Sequence, residues 1–321
     1  MTKDIIETEY FLLHTLSTGI YAAIAKDGVG AWSNAGFIDL GNELLVFDAF
    51  STPKAALELR VLAERVTNKE VMYVINSHYH GDHVFGNQVF KDCIIISTSL
   101  TRQLSKEQNV LHSIEQEQDE MKKYLQTLER DIMRSTDPNI TISLQNQYME
   151  MNKVLESIPN LEMVLPSFTF EKHLMIHGSM RSVELHCYGG GHTPSDSFLY
   201  IPNEKIAFMG DLVTECLHLP IHHPEDFLYI LNQVRQMDID IVIPGHGGIS
   251  TLDSCTTLMN YITHIIHSVK EAHLLDQSVE ELMSSYTTLK EYSSWRGVNG
   301  INRNLMTVYN FYKKKPANKQ V

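Results

Sequence analysis

Between Ser77 and Asn87 the chain reads S-H-Y-H-G-D-H-V-F-G-N, so that His78, His80, Asp82 and His83 fall within six consecutive residues. Neutral imidazole and carboxylate are donors suited to zinc and its first-row neighbours. Buried without an ion, each of the four would need another polar partner or would carry a desolvation cost. Metal ligation therefore explains this density better than packing does. Three more such residues stand alone in glycine-rich settings downstream: His192 in Gly189-Gly190-Gly191-His192-Thr193-Pro194-Ser195-Asp196, Asp211 in Met209-Gly210-Asp211-Leu212, and His246 in Pro244-Gly245-His246-Gly247-Gly248. Glycines beside a ligand let neighbouring backbone come close enough to orient it. Ser195 and Asp196 read as capping or loop hydrogen-bonding residues. His218, His222 and His223, in C-L-H-L-P-I-H-H-P, are candidates for lining a site mouth, binding substrate or supplying a proton, or are exposed loop residues. Tyr79 is expected to point away from its histidine neighbours if the loop stays extended.

Each of these loops needs a rigid element to hold it, and each follows an apolar run. Residues 71–76 read as a strand, as do 182–188, 206–209 and 239–243, and strand ends are where α/β proteins place their chemistry. Upstream, 19–25, 35–40 and 43–48 read as strands, the last two joined across a Gly41-Asn42 turn. Pro53 opens a helix running to about Val66, a short helix is expected near Asn87, and strand character returns at 93–97, 168–171 and 197–201. From about 100 to 160 the pattern changes. Leu111, Ile114, Met121, Leu125, Leu128 and Ile132 keep a helical spacing, Asp137-Pro138 breaks it, and Leu144, Tyr148, Met151, Leu155 and Ile158 resume it. This predicts a helical hairpin inserted in one domain spanning 1–321, acting as a packed accessory pair, a homodimer surface or a substrate lid. Residues 252–321 are expected to be C-terminal helices, with Ser278–Glu281 a capping box and Lys313–Lys315 a solvated tail.

Composition narrows the function classes. With 321 residues, 43% hydrophobic and 20% charged, the chain is expected to be a soluble globular protein. A net charge of −13 argues against sequence-independent nucleic-acid binding. No apolar run approaches the ~20 residues of a membrane helix, and the N-terminus does not read as a signal peptide. Cys93, Cys187, Cys216 and Cys255 form no CxxC and read as reduced thiols, which suggests a cytoplasmic location.

Taken in order, His78-Tyr79-His80-Gly81-Asp82-His83, then His192, Asp211 and His246, each on its own loop, resembles the HxHxDH pattern of the metallo-β-lactamase superfamily of metallohydrolases. The resemblance covers about residues 20–250. It implies a four-layered αβ/βα sandwich with two divalent metal ions at one edge, zinc first, iron or manganese as alternatives. It places His78, His80 and His192 on one ion and Asp82, His83 and His246 on the other, with Asp211 bridging. Asp82 is also a candidate for steering the attacking hydroxide. Asp48 matches a family aspartate that supports the ligand loop, or is a turn residue. The implied reaction is hydrolysis of an ester, thioester, lactone or related bond of a small molecule, because an ion-bound water ionises near neutral pH and the ions polarise the scissile group. The stretch SHYHGDHVFGN is also similar to that of glyoxalase II-type thioesterases, but their basic C-terminal pocket is not evident. The His83-to-His192 interval is longer than in compact members. Asp211 stands where some β-lactam-hydrolysing members have Cys, which makes antibiotic hydrolysis a poor expectation. Alternatives are a mononuclear iron persulfide dioxygenase, a phosphodiesterase or nuclease of the same fold, and a non-catalytic binding protein.

Overall fold

The structure, a computed structural model, describes residues 5–298 and 300–314. Lys315 lies outside them. A first sheet takes up eight strands in chain order. β1 (Ile5–Glu7), β2 (Phe11–Ser17), β3 (Ile20–Ala25), β4 (Ala35–Asp39) and β5 (Leu44–Phe47) pair antiparallel. β6 (Val71–Ile75), β7 (Ile94–Thr98) and β8 (Phe168–Phe170) extend the sheet in parallel. A second, five-stranded sheet comprises β9 (His173–His177), β10 (Ser182–His186), β11 (Phe198–Ile201), β12 (Ile206–Phe208) and β13 (Ile241–Ile243). Its spatial order is β13-β12-β11-β10-β9, and only the β12/β13 pair is parallel. The helices are α1 (Pro53–Thr67), α2 (Gly81–Val84), α3 (Ser99–Gln108), α4 (Ile114–Arg134), α5 (Pro138–Ser157), α6 (Pro224–Val234), α7 (Asp253–Leu274), α8 (Val279–Ser285) and α9 (Gly300–Lys313).

The period-2 alternation of the strands sorts the molecule into four layers. Leu45 and Phe47 of β5, with Ile38, Ile75 and Ile96, face Val183, Leu185, Leu199, Ile201 and Phe208 of the other sheet and form the core between the sheets. Leu44 and Val46, one residue out of phase, turn the opposite way and pack with Phe37 and Val74 against Leu59 and Leu62 of α1. On the far side, Tyr200, Ala207 and Val242 pack against Phe227 and Leu231 of α6, Ile262 and Ile265 of α7, and Leu305 of α9. This is the expected αβ/βα sandwich.

Local capping explains the insertion's shape. Ser113 accepts from the backbone N–H of Gln116 to start α4, and Asp137 accepts from Asn139 and Ile140 to start α5, with Pro138 in its first turn. Leu111 lies before α4 rather than on it, in the link from α3. The buried apolar side chains joining the pair are Leu125, Leu128, Leu144 and Val154. The capping box at Ser278 and Glu281 is present. Strands β1, β2 and β9 and helix α6 carry no expectation from the sequence, α3 is a helix additional to the expected hairpin, and α9 falls within the expected C-terminal helices. β9 is an edge strand of five residues whose Leu174 and Ile176 turn toward the core between the sheets while His173, Met175 and His177 are exposed, too short an alternation to read. No helix among the described residues is long and apolar enough to cross a membrane. All four cysteines are free: Cys255 is buried, Cys93 and Cys187 are half-buried and Cys216 is exposed.

Candidate metal centre

The four loops meet at one edge of the sandwich, one from the first sheet and three from the second, and hydrogen bonds tie them across the seam. Ser197 N–H and Oγ both donate to Ser77 carbonyl oxygen at 2.9 Å, and Asn34 Nδ2 donates to Pro244 at 2.8 Å and Gly247 at 2.9 Å. The result brings the seven candidate side chains into two adjoining groups. His78, His80, His192 and Asp211 form one, and Asp82, His83 and His246 form the other. Asp211 connects them. Its Oδ2 lies 3.3 Å from His192 Nε2 and 3.9 Å from His78 Nε2, while its Oδ1 lies 3.4 Å from His83 Nε2 and 3.3 Å from His246 Nε2. Asp82 Oδ2 is 3.2 Å from His246 Nε2 and 3.4 Å from His83 Nε2. His80 presents Nδ1, 3.1 Å from His192 Nε2.

These spacings suit a metal better than they suit hydrogen bonding. Ligand atoms around a four-coordinate ion with bonds of about 2.0–2.1 Å sit about 3.3 Å apart. His78 Nε2, His83 Nε2 and Asp211 Oδ1 are buried without a hydrogen-bond partner, which a closed polar core does not tolerate cheaply. Two imidazole nitrogens also face each other at His80 and His192, where at most one can carry a proton. The donor set present therefore fits a pair of divalent ions.

The second ring nitrogens explain how the imidazoles are aimed. His192 Nδ1 donates to the Pro220 carbonyl at 3.0 Å, and His246 Nδ1 to the Trp32 carbonyl at 3.0 Å. His83 Nδ1 donates to Asp48 Oδ2 at 2.8 Å. Ser77 Oγ donates to the same oxygen at 2.8 Å, so its lone pair is left to accept from His78 Nδ1 at 3.0 Å. Each of these four rings thus commits Nδ1 to its support and turns Nε2 to the centre. Asp48, at the end of β5, also accepts from the Ser77 backbone N–H at 2.8 Å and is fully buried. The support role anticipated for it is what its contacts provide.

Electrostatics divide the groups. Burial, reinforced by His83 and His80, holds His78 well below the ordinary imidazole range. Burial, then His192, lowers His80 to about 4, and burial lowers His192. These rings are neutral, the form that ligates metal. At His83 burial opposes charge, but Asp82, Asp48 and Asp211 outweigh it and raise the ring well above its usual range. His246 behaves likewise, pushed up to about 9 against burial by Asp211 and Asp82. Burial works against ionised Asp211 and Asp82 as well, yet His83 and His246 keep both carboxyls well below their ordinary range. Gly245 makes the meeting possible: a Cβ there would lie 2.0 Å from Asp211 Oδ1.

The sequence model of the family described as Metallo-beta-lactamase superfamily matches residues 32–246, more than half of the chain. The chain belongs to the metallo-beta-lactamase superfamily. Among solved structures it is similar to a metallo-beta-lactamase from Pontibacter korlensis, 14% identical, with a TM-score of 0.52 over 81% of this chain and 98% of that one. It is also similar to the stereoselective inverting sec-alkylsulfatase Pisa1 from Pseudomonas sp., 14% identical, with a TM-score of 0.69 over 96% of this chain and 52% of that one. A double mutant of the Pisa1 sec-alkyl sulfatase, 15% identical, matches with the same TM-score. At these identities the likeness is one of fold.

The side chains of the candidates His218, His222 and His223 do not join the two ligand groups. His218 is buried in the C-terminal helical core, its Nδ1 3.0 Å from the Tyr261 hydroxyl and its ring between Tyr261 and Trp295; burial lowers it to about 4. His223 caps α6 by accepting from Asp226 N–H, and His222 is exposed. Their segment acts through its backbone: His222 and His223 N–H groups donate to Gly191, and Pro220 holds His192. Asp196 accepts from the N–H groups of Gly191, His192 and Thr193, the loop role expected of it. Tyr79 does not point away; its ring meets His80 edge-on, centroids 4.9 Å apart, because the loop turns at Gly81 into α2. A third group, His173, Glu184 and His186, sits on β9 and β10, where Glu184 already accepts from His186 at 2.9 Å.

The sequence reading missed the support given by Ser77 and Asn34, and it missed Glu150. A cavity of about 430 Å³ adjoins His246, walled by Trp32, Asn34, Leu217 and Arg296 and by Asn146 and Glu150 of α5. The inserted hairpin is therefore part of the site's wall.

Proposed function

We propose that the protein is a dinuclear metal-dependent hydrolase, zinc-loaded and cytoplasmic, that cleaves an ester, thioester, lactone or related bond of a small molecule bound in the cavity beside His246. The observation that carries this reading is Asp211 shared by two ligand groups, one carboxylate oxygen turned to each. His78, His80 and His192 would hold one ion and Asp82, His83 and His246 the other. When bound, such a pair supplies a nucleophilic water ionised near neutral pH and Lewis acidity toward the scissile group. Zinc suits an all-imidazole-and-carboxylate set with tetrahedral spacings.

The chain's own residues do the remaining work. Asp48, Ser77 and the carbonyls of Trp32 and Pro220 lock the ring orientations, so ligand geometry is set before substrate arrives. Asp82, partly exposed and 3.2 Å from His246 Nε2, would accept a hydrogen bond from the water and fix its approach. Gly191, Gly210 and Gly245, buried beside the ligands, help to exclude bulk water there, which strengthens those interactions.

The test is metal analysis with a hydrolysis panel of esters, thioesters, lactones and phosphodiesters, together with secondary alkyl sulfates because of the fold likeness to Pisa1. About two ions per chain are expected, with activity lost on chelation and in His80→Ala. Protein purified without chelator that holds no ion, or His80→Ala that retains full activity, refutes the reading. A single iron with oxygen uptake on a persulfide would replace it with the dioxygenase alternative.

A further inference from the structure

A further set of metal-ligating side chains lies on the outer face of the second sheet, and nothing in the catalytic reading uses it. β9 and β10 pair antiparallel, with His173 directly opposite His186 and Met175 opposite Glu184. Side chains alternate along each strand, and Leu174, Ile176, Val183 and Leu185 turn to the core between the sheets. His173, Glu184 and His186 therefore share the opposite face. His173, on the edge strand, is exposed, and the other two are half-buried.

The three side chains converge on one point. Glu184 Oε2 lies 2.9 Å from His186 Nε2 and 3.6 Å from His173 Nε2, and one ligand atom from each residue falls within 4.8 Å of the other two. The two measured spacings bracket the roughly 3.3 Å between ligand atoms around a four-coordinate ion. The shorter one is also a hydrogen bond, but 3.6 Å lies beyond hydrogen-bonding reach and within ligand spacing. The His186 ring is held in place, stacked on Phe198 with centroids 5.2 Å apart and flanked by Tyr188 at 5.5 Å. Burial lowers its pKa against the pull of Glu184, which leaves it in the neutral form that ligates metal. Two imidazoles and a carboxylate, with solvent on the open side, are a donor set for a first-row divalent ion that keeps water in its remaining positions.

We propose that His173, Glu184 and His186 form a third metal site, separate from the centre at the seam, in which a divalent ion such as zinc staples the edge strand β9 to β10. β9 has a neighbouring strand on one side only, so it is the part of this sheet with least to hold it. The ion replaces the hydrogen bond between His186 and Glu184, and the His186 ring then carries its proton on Nδ1. Three donors beside open solvent bind more weakly than the seam centre, where two ions share seven donors. The site therefore fills after the seam centre, and it links the firmness of β9 to the supply of free metal.

The test is a Zn2+ titration of the full chain already loaded at the seam, read by calorimetry and equilibrium dialysis. Wild type should take up about one further ion per chain, about three in all. His173→Ala and Glu184→Gln should each lose that ion and keep the other two. His80→Ala, which disrupts the seam centre, should still bind it, so failure of the hydrolase reading and failure of this one are told apart. His177→Ala, which removes an exposed histidine of the same strand that meets Ser182 instead, should also keep it. With free Zn2+ at about ten times the site's Kd, amide exchange in β9 should slow about tenfold in wild type and stay unchanged in His173→Ala. The proposal is overturned if wild type binds no further ion, or if the further ion survives in His173→Ala or Glu184→Gln. Loss of the ion in His177→Ala would overturn it too, as diffuse binding to surface histidines, and β9 exchange that ignores Zn2+ would overturn the staple.

Discussion

Glu150→Gln gives a stability experiment whose size follows from the structure. The carboxyl of a solvated glutamate ionises near 4.5, and burial raises it to about 7 in the folded protein. The folded state thus holds this proton more tightly than the unfolded state. Its contribution to stability is complete below about pH 4.5 and is lost as pH rises toward and through 7. A shift of roughly 2.5 units at about 1.36 kcal/mol each corresponds to about 3 kcal/mol at high pH, of which about 2–3 kcal/mol falls between pH 5 and pH 8. Glutamine keeps the shape and the bond that Glu150 Oε1 accepts from the Val29 backbone N–H at 3.2 Å, but it has no proton to lose. Urea unfolding at pH 5 and pH 8 should therefore show wild type losing about 2–3 kcal/mol more than Glu150→Gln over that interval. Other titrating groups cancel in the comparison, since both proteins contain them. Equal pH dependence in the two proteins would refute the reasoning, because it would mean that Glu150 titrates as a solvated carboxyl.

Asp48→Asn puts an amide donor against the donors of Ser77 or His83, so metal affinity should fall about 10–100-fold in a competition titration with a chromophoric chelator. Unchanged affinity would show that Asp48 does not orient His83. Gly245→Ala drives a methyl group into Asp211 and should cost about 1–3 kcal/mol of stability together with the shared site, read as metal stoichiometry by mass analysis. His218→Phe removes the bond to Tyr261 and should cost about 1–3 kcal/mol in chemical denaturation while kcat/KM persists. A collapse of kcat/KM without loss of stability would return His218 to the active site.

The legible part of this molecule is local. His78 through His83, His192, Asp211 and His246 each follow a short apolar strand and sit beside glycine, so residue type, strand end and turn chemistry coincide within a few positions. Asp48, at a strand end but with no glycine beside it, was suggested only by the family resemblance, with a turn residue as the alternative. The residues misread or missed depend on contacts far along the chain. His218 sits among prolines, which suggests an exposed loop, but Tyr261, Trp295 and the Asn304 neighbourhood bury it. Glu150 is silent because the apolar stripe was assigned from Leu144 through Tyr148 and Met151, whereas the buried residues of α5 that follow Leu144 are Glu150 and Val154. A rotation of the buried face by less than one residue's step of about 100° moved a carboxylate from presumed solvent to the wall of the site, and only the packing of α5 on the sandwich determines that rotation.

Each ligand group draws on both sheets: the loop after β6 supplies His78, His80, Asp82 and His83, while the loops after β10, β12 and β13 supply His192, Asp211 and His246. An ion in either group is then a rivet through the sandwich, fastening two slabs otherwise held by apolar contact and a few seam bonds. Such a rivet makes the halves share one fate in unfolding. Removing it should separate their opening free energies, with amide exchange at β10–β12 quickening before that at β4–β6. Metal supply would then govern how long the polypeptide survives proteolysis as well as whether it turns over substrate.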